Sequence, residues 1–534
     1  MKNGETSGGN MGDLEKGLDA KDEDVADVTS DSSKMSPTST RASLDAQKTA
    51  HPNTVNTLEA PERTEKAPSS HANPQSVIVD WDGPDDPDFP QNMTRRQKFT
   101  ITLSAAMLTL AVTFSSSVFS GANEQVAKRF GVDEEITILG TSLYIVGFGI
   151  GPPLSELYGR KLPLFAGVLG FTIFQIPVAV ASNLQTVFVG RFFQGLFGSS
   201  PTGVTGGILA DIWDPRERGF AMPSFAGTLY AGPICGPIVG AYVASTIGWR
   251  WTQWITLIMG CVFLVIAWIF VPETCAPIIL TQRAKRLRHE TGNWALHSKH
   301  EETQVNLKDI ANRYLLRPSK MLFLEPILLF VTLYQSFVYG LIYLLFEAYP
   351  ISFIDDRHYS SGKGSLPFLA VLVGVLIGCI LLATTTRTRL APDPEAGRPI
   401  ETRLLTMILA SVVLPIGLFW FAWTSFPSIS PWPQILSGIP IGFSVIIVTL
   451  QGFNYTIDVY TIYANSAIAA TTFTRSLFGA GFPLFADYMF RGLGVQWATS
   501  VLGFIALIMI PVPVLFYKYG ARIRRWSKYI KTSD

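Results

Sequence analysis

The chain has 534 residues, 48% of them hydrophobic and only 16% charged, with a formal net charge of +1. Soluble proteins average about 25% charged residues, so a deficit kept up over this length excludes an ordinary soluble multidomain protein and fits a chain whose main solvent is lipid. The near-zero net charge also excludes the global field that would gather nucleic acid.

Residues 1–75 are rich in Ser, Thr, Asp, Glu, Lys and Asn and almost lack aromatic side chains. Such a segment cannot bury enough apolar surface to offset its ordering entropy, so the N-terminal region 1–97 is expected to be disordered. Apolar runs then begin, and a membrane helix needs about 20 mostly apolar residues. Six runs qualify: Phe99–Ser120, Thr137–Tyr158, Leu162–Ser182, Leu184–Ala210, Gly219–Thr246 and Thr252–Val271. A polar stretch, Pro272–Lys320, separates them from six more at 322–349, 364–386, 402–424, 432–457, 463–487 and 495–518. The pattern predicts an all-α integral membrane protein with 12 transmembrane helices in two six-helix bundles. The bundles are expected at 98–271 and 321–518, with a central loop at 272–320 and a basic tail at 519–534. Two such halves would be related by an axis along the membrane normal.

Cytoplasmic loops carry the excess of Lys and Arg. Here cations gather before the first run, at Arg160 and Lys161, in the central loop and in the tail, so both termini and that loop are expected in the cytoplasm. The plasma membrane is the expected location, with the vacuolar membrane as the alternative. The basic stretches at 283–288 and 522–528 are expected to meet anionic lipid, and His289, His297 and His300 to be solvated.

Several polar features interrupt the apolar runs. The loop after the second run reads Pro-Pro-Leu-Ser-Glu-Leu-Tyr-Gly-Arg-Lys from Pro152, and Gly159 permits a tight turn there. Glu156 can pair with Arg160, with Lys161 or with a helix N-terminus. The positive-inside rule alone would account for the cations but not for the carboxylate and glycine together. Arg191 falls inside the fourth run, where an arginine costs about 2.5–3.5 kcal/mol. It must face a polar interior or snorkel to the interface. In the fifth run Gly232, Gly236 and Gly240, with Pro237, make one smooth face for close helix packing. The seventh run carries Gln335, Tyr339, Tyr343, Phe346 and Glu347, an aromatic stripe that either packs or lines a cavity. Its tyrosine hydroxyls and Glu347 favour the cavity. The tenth carries Gln451, Asn454, Tyr455 and Asp458, of which Asp458 could equally be an interface residue. The eleventh carries Arg475.

The loop at Pro152–Leu164 resembles the signature loop of the major facilitator superfamily, G-x-L-A-D-R-x-G-R-K-x-x-L. Leu154, Glu156, Gly159, Arg160, Lys161 and Leu164 match, while Pro152 and Leu157 depart from it. The resemblance implies that Glu156, Gly159, Arg160 and Lys161 form a latch between the halves. Arg191, Gln194 and Gly195 fit the family's R-x-x-Q-G pattern, which implies a part for Arg191 in proton coupling. Gly232, Gly236, Pro237 and Gly240 resemble its antiporter motif. Trp81–Pro87, Pro90–Asn92 and Val271–Thr274 look like the fungal twelve-span drug:proton antiporter branch. The implied cavity is lined by spans one, four, seven and ten.

Candidate substrate contacts are therefore Gln194, Gln335, Tyr339, Tyr343, Phe346, Glu347, Gln451 and Asn454, with Glu347 or Asp458 taking the proton. The expectation is a proton-coupled exporter of small amphipathic molecules, functional as a monomer and needing no cofactor or metal. Cys235, Cys261, Cys275 and Cys379 are scattered, without a paired motif. No phosphate-cradling loop, zinc-protease motif or nucleophile elbow points to an enzyme. An importer of a small nutrient such as a polyamine or vitamin, and a transporter-like membrane sensor, are the alternatives.

Overall fold

A computed structural model describes residues 77–151, 159–302, 316–385, 399–525 and 527–529, all within one compact unit. The first bundle is built from α1 (Arg95–Val118), α2 (Glu134–Ile150), α3 (Lys161–Ala179), α4 (Leu184–Ile212), α5 (Pro215–Ile247) and α6 (Arg250–Phe270). The second contains α7 (Pro326–Pro350), α8 (Phe368–Thr385), α9 (Leu404–Trp423) and α10 (Gly438–Tyr460), then α11 (Ala464–Met509) and α12 (Pro511–Arg524). α11 is broken at Gly494, whose φ of 75° and ψ of 156° lie outside the helical region. Glycine takes a positive φ at little cost, so the chain reverses there without a loop. The arms of α11 are the eleventh and twelfth crossings, and α12 continues the twelfth. We call the side reached by Arg95 and Arg524 the terminal face, and the other the far face.

Seven helical runs among the described residues are long and apolar enough to span a membrane, and the last of them, Pro431–Arg524, is long enough for three crossings. The helices left out are α2, α4 and α5. Glycine, proline and hydroxyl residues dilute the hydropathy of α4 and α5, and they are there because those helices pack on neighbours more than on lipid. Lipid-facing positions are apolar instead: Leu103, Leu169, Ile173, Val265, Trp268, Ile380, Ile416 and Ile508 are exposed.

Local signals set the helix ends. α1 starts in a capping box, in which the Thr94 side chain accepts from the Gln97 amide and the Gln97 side chain accepts from the Thr94 amide. α4 starts at Asn183, whose side chain accepts from the Thr186 amide at 2.8 Å. The N-terminus of α3 is met by a distant carboxylate. Glu273 accepts from the amides of Arg160 and Lys161, each at 3.0 Å, and an anion is favoured at that end of the helix dipole.

Two expectations change. Disorder was expected through residue 97, yet residues 77–94 are ordered. Ile78 bridges to His297, with amide-to-carbonyl bonds from Val79 to His297 and from His297 to Val77. Arg283 holds this strap through Asp82 and Asp86. Within the basic run at 283–288, Arg283 binds the strap and Arg288 binds Glu301 at 2.7 Å, while Lys285 and Arg286 are exposed. In the tail, Arg524 pairs with Glu401 at 2.9 Å. The central loop contains a helix, Ala276–Thr291, closed by Gly292 at φ 68°. His297 is not simply solvated: it bonds to the Ala295 carbonyl and to Glu302. Burial works to raise the Asp86 carboxyl, but the Asp82 and Asp88 amides and the Arg283 guanidinium outweigh it and hold it below the usual range.

Candidate transport site between the bundles

The bundles meet along two seams, α2 against α11 and α5 against α8. Three hydrogen bonds join them among the described residues: Ser116 with Tyr343 at 3.0 Å, Ser142 donating to the Ala480 carbonyl at 2.8 Å, and Tyr488 donating to Glu135 at 2.6 Å. All three lie between mid-membrane and the far face. A central void remains where they converge, lined by Thr113, Ser116, Tyr144, Ile145, Phe148, Tyr339 and Tyr343. Its volume is only about 10 Å³. The structure is therefore closed toward the far face, with too little space left for a substrate.

The lining follows from helix periodicity. Thr109, Thr113 and Ser116 recur three or four residues apart along α1 and are buried. On α7, Tyr339 and Tyr343 share a face, with hydroxyls 3.2 Å apart, and Phe346 packs edge-on against Tyr343. The result is an aromatic box with hydroxyl corners, the composition expected of a pocket for an amphipathic ligand.

Arg191 is fully buried. Its guanidinium donates to the carbonyls of Gly140, Ser115 and Ser116 at 3.1, 2.7 and 3.0 Å and to the Gln194 side chain at 3.2 Å. Its faces lie over Phe119 and Tyr144. Ser115 and Ser116 belong to the last turn of α1, whose carbonyls have no partner within the helix. A cation there also complements the helix dipole. Arg191 is thus spent on finishing α1 inside the membrane, and the snorkelling alternative does not hold.

The other expected residues divide. Tyr339 and Tyr343 line the void, and Phe346 supports them. Gln194 does not reach it: its amide donates to the Phe174 carbonyl and to Gln253 within the first bundle. Gln451 turns to Thr406 on α9, and Asn454 is half-buried on α10. Gln335 is buried against Gly452, with its amide unpaired. Glu347 stands toward the far face among Glu134, Asp487 and Arg491. Asp458 pairs with Arg403 near the terminal face, which fits an interface residue. Glu156 lies outside the described residues. Arg160 places its Nε on Asp211 of its own bundle at 3.0 Å. Gly159 turns the loop at φ 90°. Gly232, Gly236 and Gly240 of α5 press on α1, where an added Cβ would collide with Thr113, Ser117 and Val118, and Pro237 stands among them.

Sequence reasoning missed the contributions of α1 and α2, namely Thr113, Ser116, Tyr144 and Phe148. The three- and four-residue spacing of hydroxyls on α1 was the available signal. It also gave Arg475 no role.

Two half-bundles of helices around a closed central void are the architecture of a secondary transporter. The model of the Major Facilitator Superfamily matches residues 105–483, and the chain belongs to that family. It is 50% identical over 460 residues to the cercosporin MFS transporter of Cercospora nicotianae, covering 85% of this chain and 90% of that one. It is 51% identical over 459 residues to the citrinin biosynthesis cluster MFS transporter of Monascus ruber, covering 85% and 92%. Among solved structures, the proton:xylose symporter XylE superposes with a TM-score of 0.59 at 16% identity, over 80% of this chain and 96% of that one. The chain is a membrane transporter of this superfamily and not an enzyme.

Proposed function

We propose that this chain exports small amphipathic metabolites or toxins across the plasma membrane by alternating access, coupled to proton entry. The observation that carries the reading is its near-half identity, over almost the whole chain, to transporters named for a fungal toxin and for a metabolite cluster. The void of aromatic rings and hydroxyls between the bundles suits such ligands. The terminal face carries most of the cations, among them Arg95, Arg160, Lys161, Arg283, Arg403 and Arg524, so we place it in the cytoplasm. The far face is then external, and the form described here is closed to the outside.

Glu347 is our candidate for the proton. It lies at the external end of the bundle contact, beside Glu134 and Asp487, where protonation relieves like-charge repulsion. Asp458 is already neutralised by Arg403. The driving force suffices: one pH unit is about 1.4 kcal/mol and 100 mV adds about 2.3 per charge. One proton therefore sustains a gradient of several hundredfold for a neutral substrate.

The test is net flux of a fluorescent amphipathic dye in energised inside-out vesicles, with and without a protonophore. Protonophore-sensitive uptake into the vesicles, lost in Glu347→Gln, is expected. Movement in the opposite sense would sink export, and indifference to the protonophore would sink proton coupling.

A further inference from the structure

We propose that Arg475 binds an anionic group on the transported molecule, so that the substrates are organic anions with an apolar body. This rests on reading the chain as a transporter of amphipathic molecules and narrows the class of ligand.

Arg475 lies 11 residues into α11, roughly 16 Å along the helix from the terminal face, and so deep in the membrane. It is 4% exposed. Its guanidinium is packed over Tyr339 at 4.5 Å and Phe453 at 5.3 Å. Those rings hold its faces and leave its edge. Two of its donors, Nε and Nη1, are buried with no hydrogen-bond partner. No carboxylate stands within ion-pair distance of it among the described residues.

The contrast with Arg191 is the core of the argument. Both arginines are buried in the membrane and both stack on aromatic rings. Arg191 spends all three nitrogens on four oxygens. Arg475 leaves two of its nitrogens unspent. A charged group held dry with open donors is strongly destabilising unless an acceptor arrives, so the fold holds Arg475 ready for a stronger acceptor than the neutral Tyr230 hydroxyl beside it.

The neighbours point the same way. Tyr230 of α5 lies beside Arg475 and Thr449 of α10, close enough to interact with both, yet neither its hydroxyl nor that of Thr449 reaches full hydrogen-bond geometry. A guanidinium edge, a phenol and a threonine hydroxyl can all donate. A carboxylate, sulfonate or ionised phenol on the ligand would accept from all three. A cation such as a polyamine would be repelled, and a neutral body would leave the charge unpaired. Tyr339, whose ring lies against Arg475, lines the central void, so the anion site adjoins the aromatic box. It also spans the seam, because Tyr230 belongs to the first bundle and Arg475 and Thr449 to the second. An anion held by both bundles favours their closure around it.

The probes are anilinonaphthalene sulfonate and phenylnaphthylamine, two fluorescent amphipaths of one ring system with and without the anionic group. Equilibrium binding is measured to the full chain in lipid nanodiscs, with empty nanodiscs subtracted. The wild type is expected to prefer the sulfonate by about tenfold or more, as for charge-assisted bonds in a dry site. Arg475→Gln should abolish that preference while leaving phenylnaphthylamine within about twofold of the wild type. Arg475→Lys should retain part of it. Tyr230→Phe keeps the ring and should weaken only the sulfonate, by about three- to tenfold; it tests the site even if Arg475→Gln does not fold. Equal binding of the two probes, binding of neither, an unchanged ratio in Arg475→Gln, or equal loss of both probes in Tyr230→Phe would overturn the assignment. The export reading fails separately: inward flux with the sulfonate preference intact would remove export and leave the anion site standing.

Discussion

Replacing Tyr343 by Phe should open the far face more often. The Tyr343 hydroxyl is 3.0 Å from Ser116 and 3.2 Å from Tyr339, and only the first of these bonds joins the two bundles. Interhelical hydrogen bonds in membranes are worth about 0.6 kcal/mol on average and at most about 1.7. Losing one should shift the balance between far-closed and far-open forms by about three- to eighteenfold. The ring stays, so packing against Phe346 and Tyr339 is kept. The readout is alkylation of Thr113→Cys, a void-lining position, by an impermeant maleimide applied to intact cells. Cys235, Cys261, Cys275 and Cys379 are replaced by Ala in that chain. Tyr343→Phe should raise the rate by the stated factor, Ser116→Ala should do the same, and the double variant should do no more than either. An unchanged rate would mean that the bond is not part of the far-face seal. Additive effects would mean that the two side chains act separately.

Gly236→Ala should destabilise the first bundle by about 1–3 kcal/mol, because the added carbon meets Ser117 and the α1 backbone; a melting temperature equal to the wild type in detergent would contradict this. Glu273→Gln should weaken the start of α3 by about 1–2 kcal/mol, since a charged acceptor for two amides becomes a neutral one. Faster amide exchange at 160–164, with exchange in α9 unchanged, would be the sign of it. The Asp86 carboxyl lies below its ordinary range in the folded strap. Its contribution is therefore fully present above the unfolded value near 3.9 and is lost as pH falls through the lowered folded value. Proteolysis of the strap at 77–92 should rise on acidification in the wild type, and Asp86→Asn should be cleaved faster at neutral pH with a flatter profile.

The twelve crossings were legible because lipid imposes one crude rule, a run of apolar residues long enough to span. That rule reads composition and is blind to direction around the helix axis. Arg191 was recognised as a cation that must face something polar, and it does. What it faces, the unpaired carbonyls of Ser115 and Ser116, could not be read, because backbone groups carry no sequence signature. Gln194 and Gln451 were taken for cavity residues because they are polar inside apolar runs. A buried amide is equally well satisfied by a neighbouring helix of its own bundle, and Phe174 and Thr406 do that. The ordered strap at 77–94 was hidden by its polar composition, since its order comes from Arg283, almost 200 residues later, rather than from apolar burial.

The distribution of contacts explains how such a molecule can move. Within the first bundle, glycine faces bring α5 against the backbone of α1, and Arg191 ties α1, α2 and α4 through buried bonds. None of these can be released without exposing backbone to lipid, where unsatisfied groups are costly. Between the bundles the account is different. Three hydrogen bonds join them among the described residues, each between groups that can meet water once the far face opens. At about 0.6 kcal/mol apiece they contribute about 2 kcal/mol to the seal, beside the packing of α2 on α11 and of α5 on α8. If the cycle is driven as proposed, a proton entering down one pH unit and 100 mV delivers about 3.7 kcal/mol. In the proposed proton-coupled cycle these bonds are weaker than the driving force of one proton, whereas the bundle interiors are not, and rocking of two rigid halves is the motion that this difference permits.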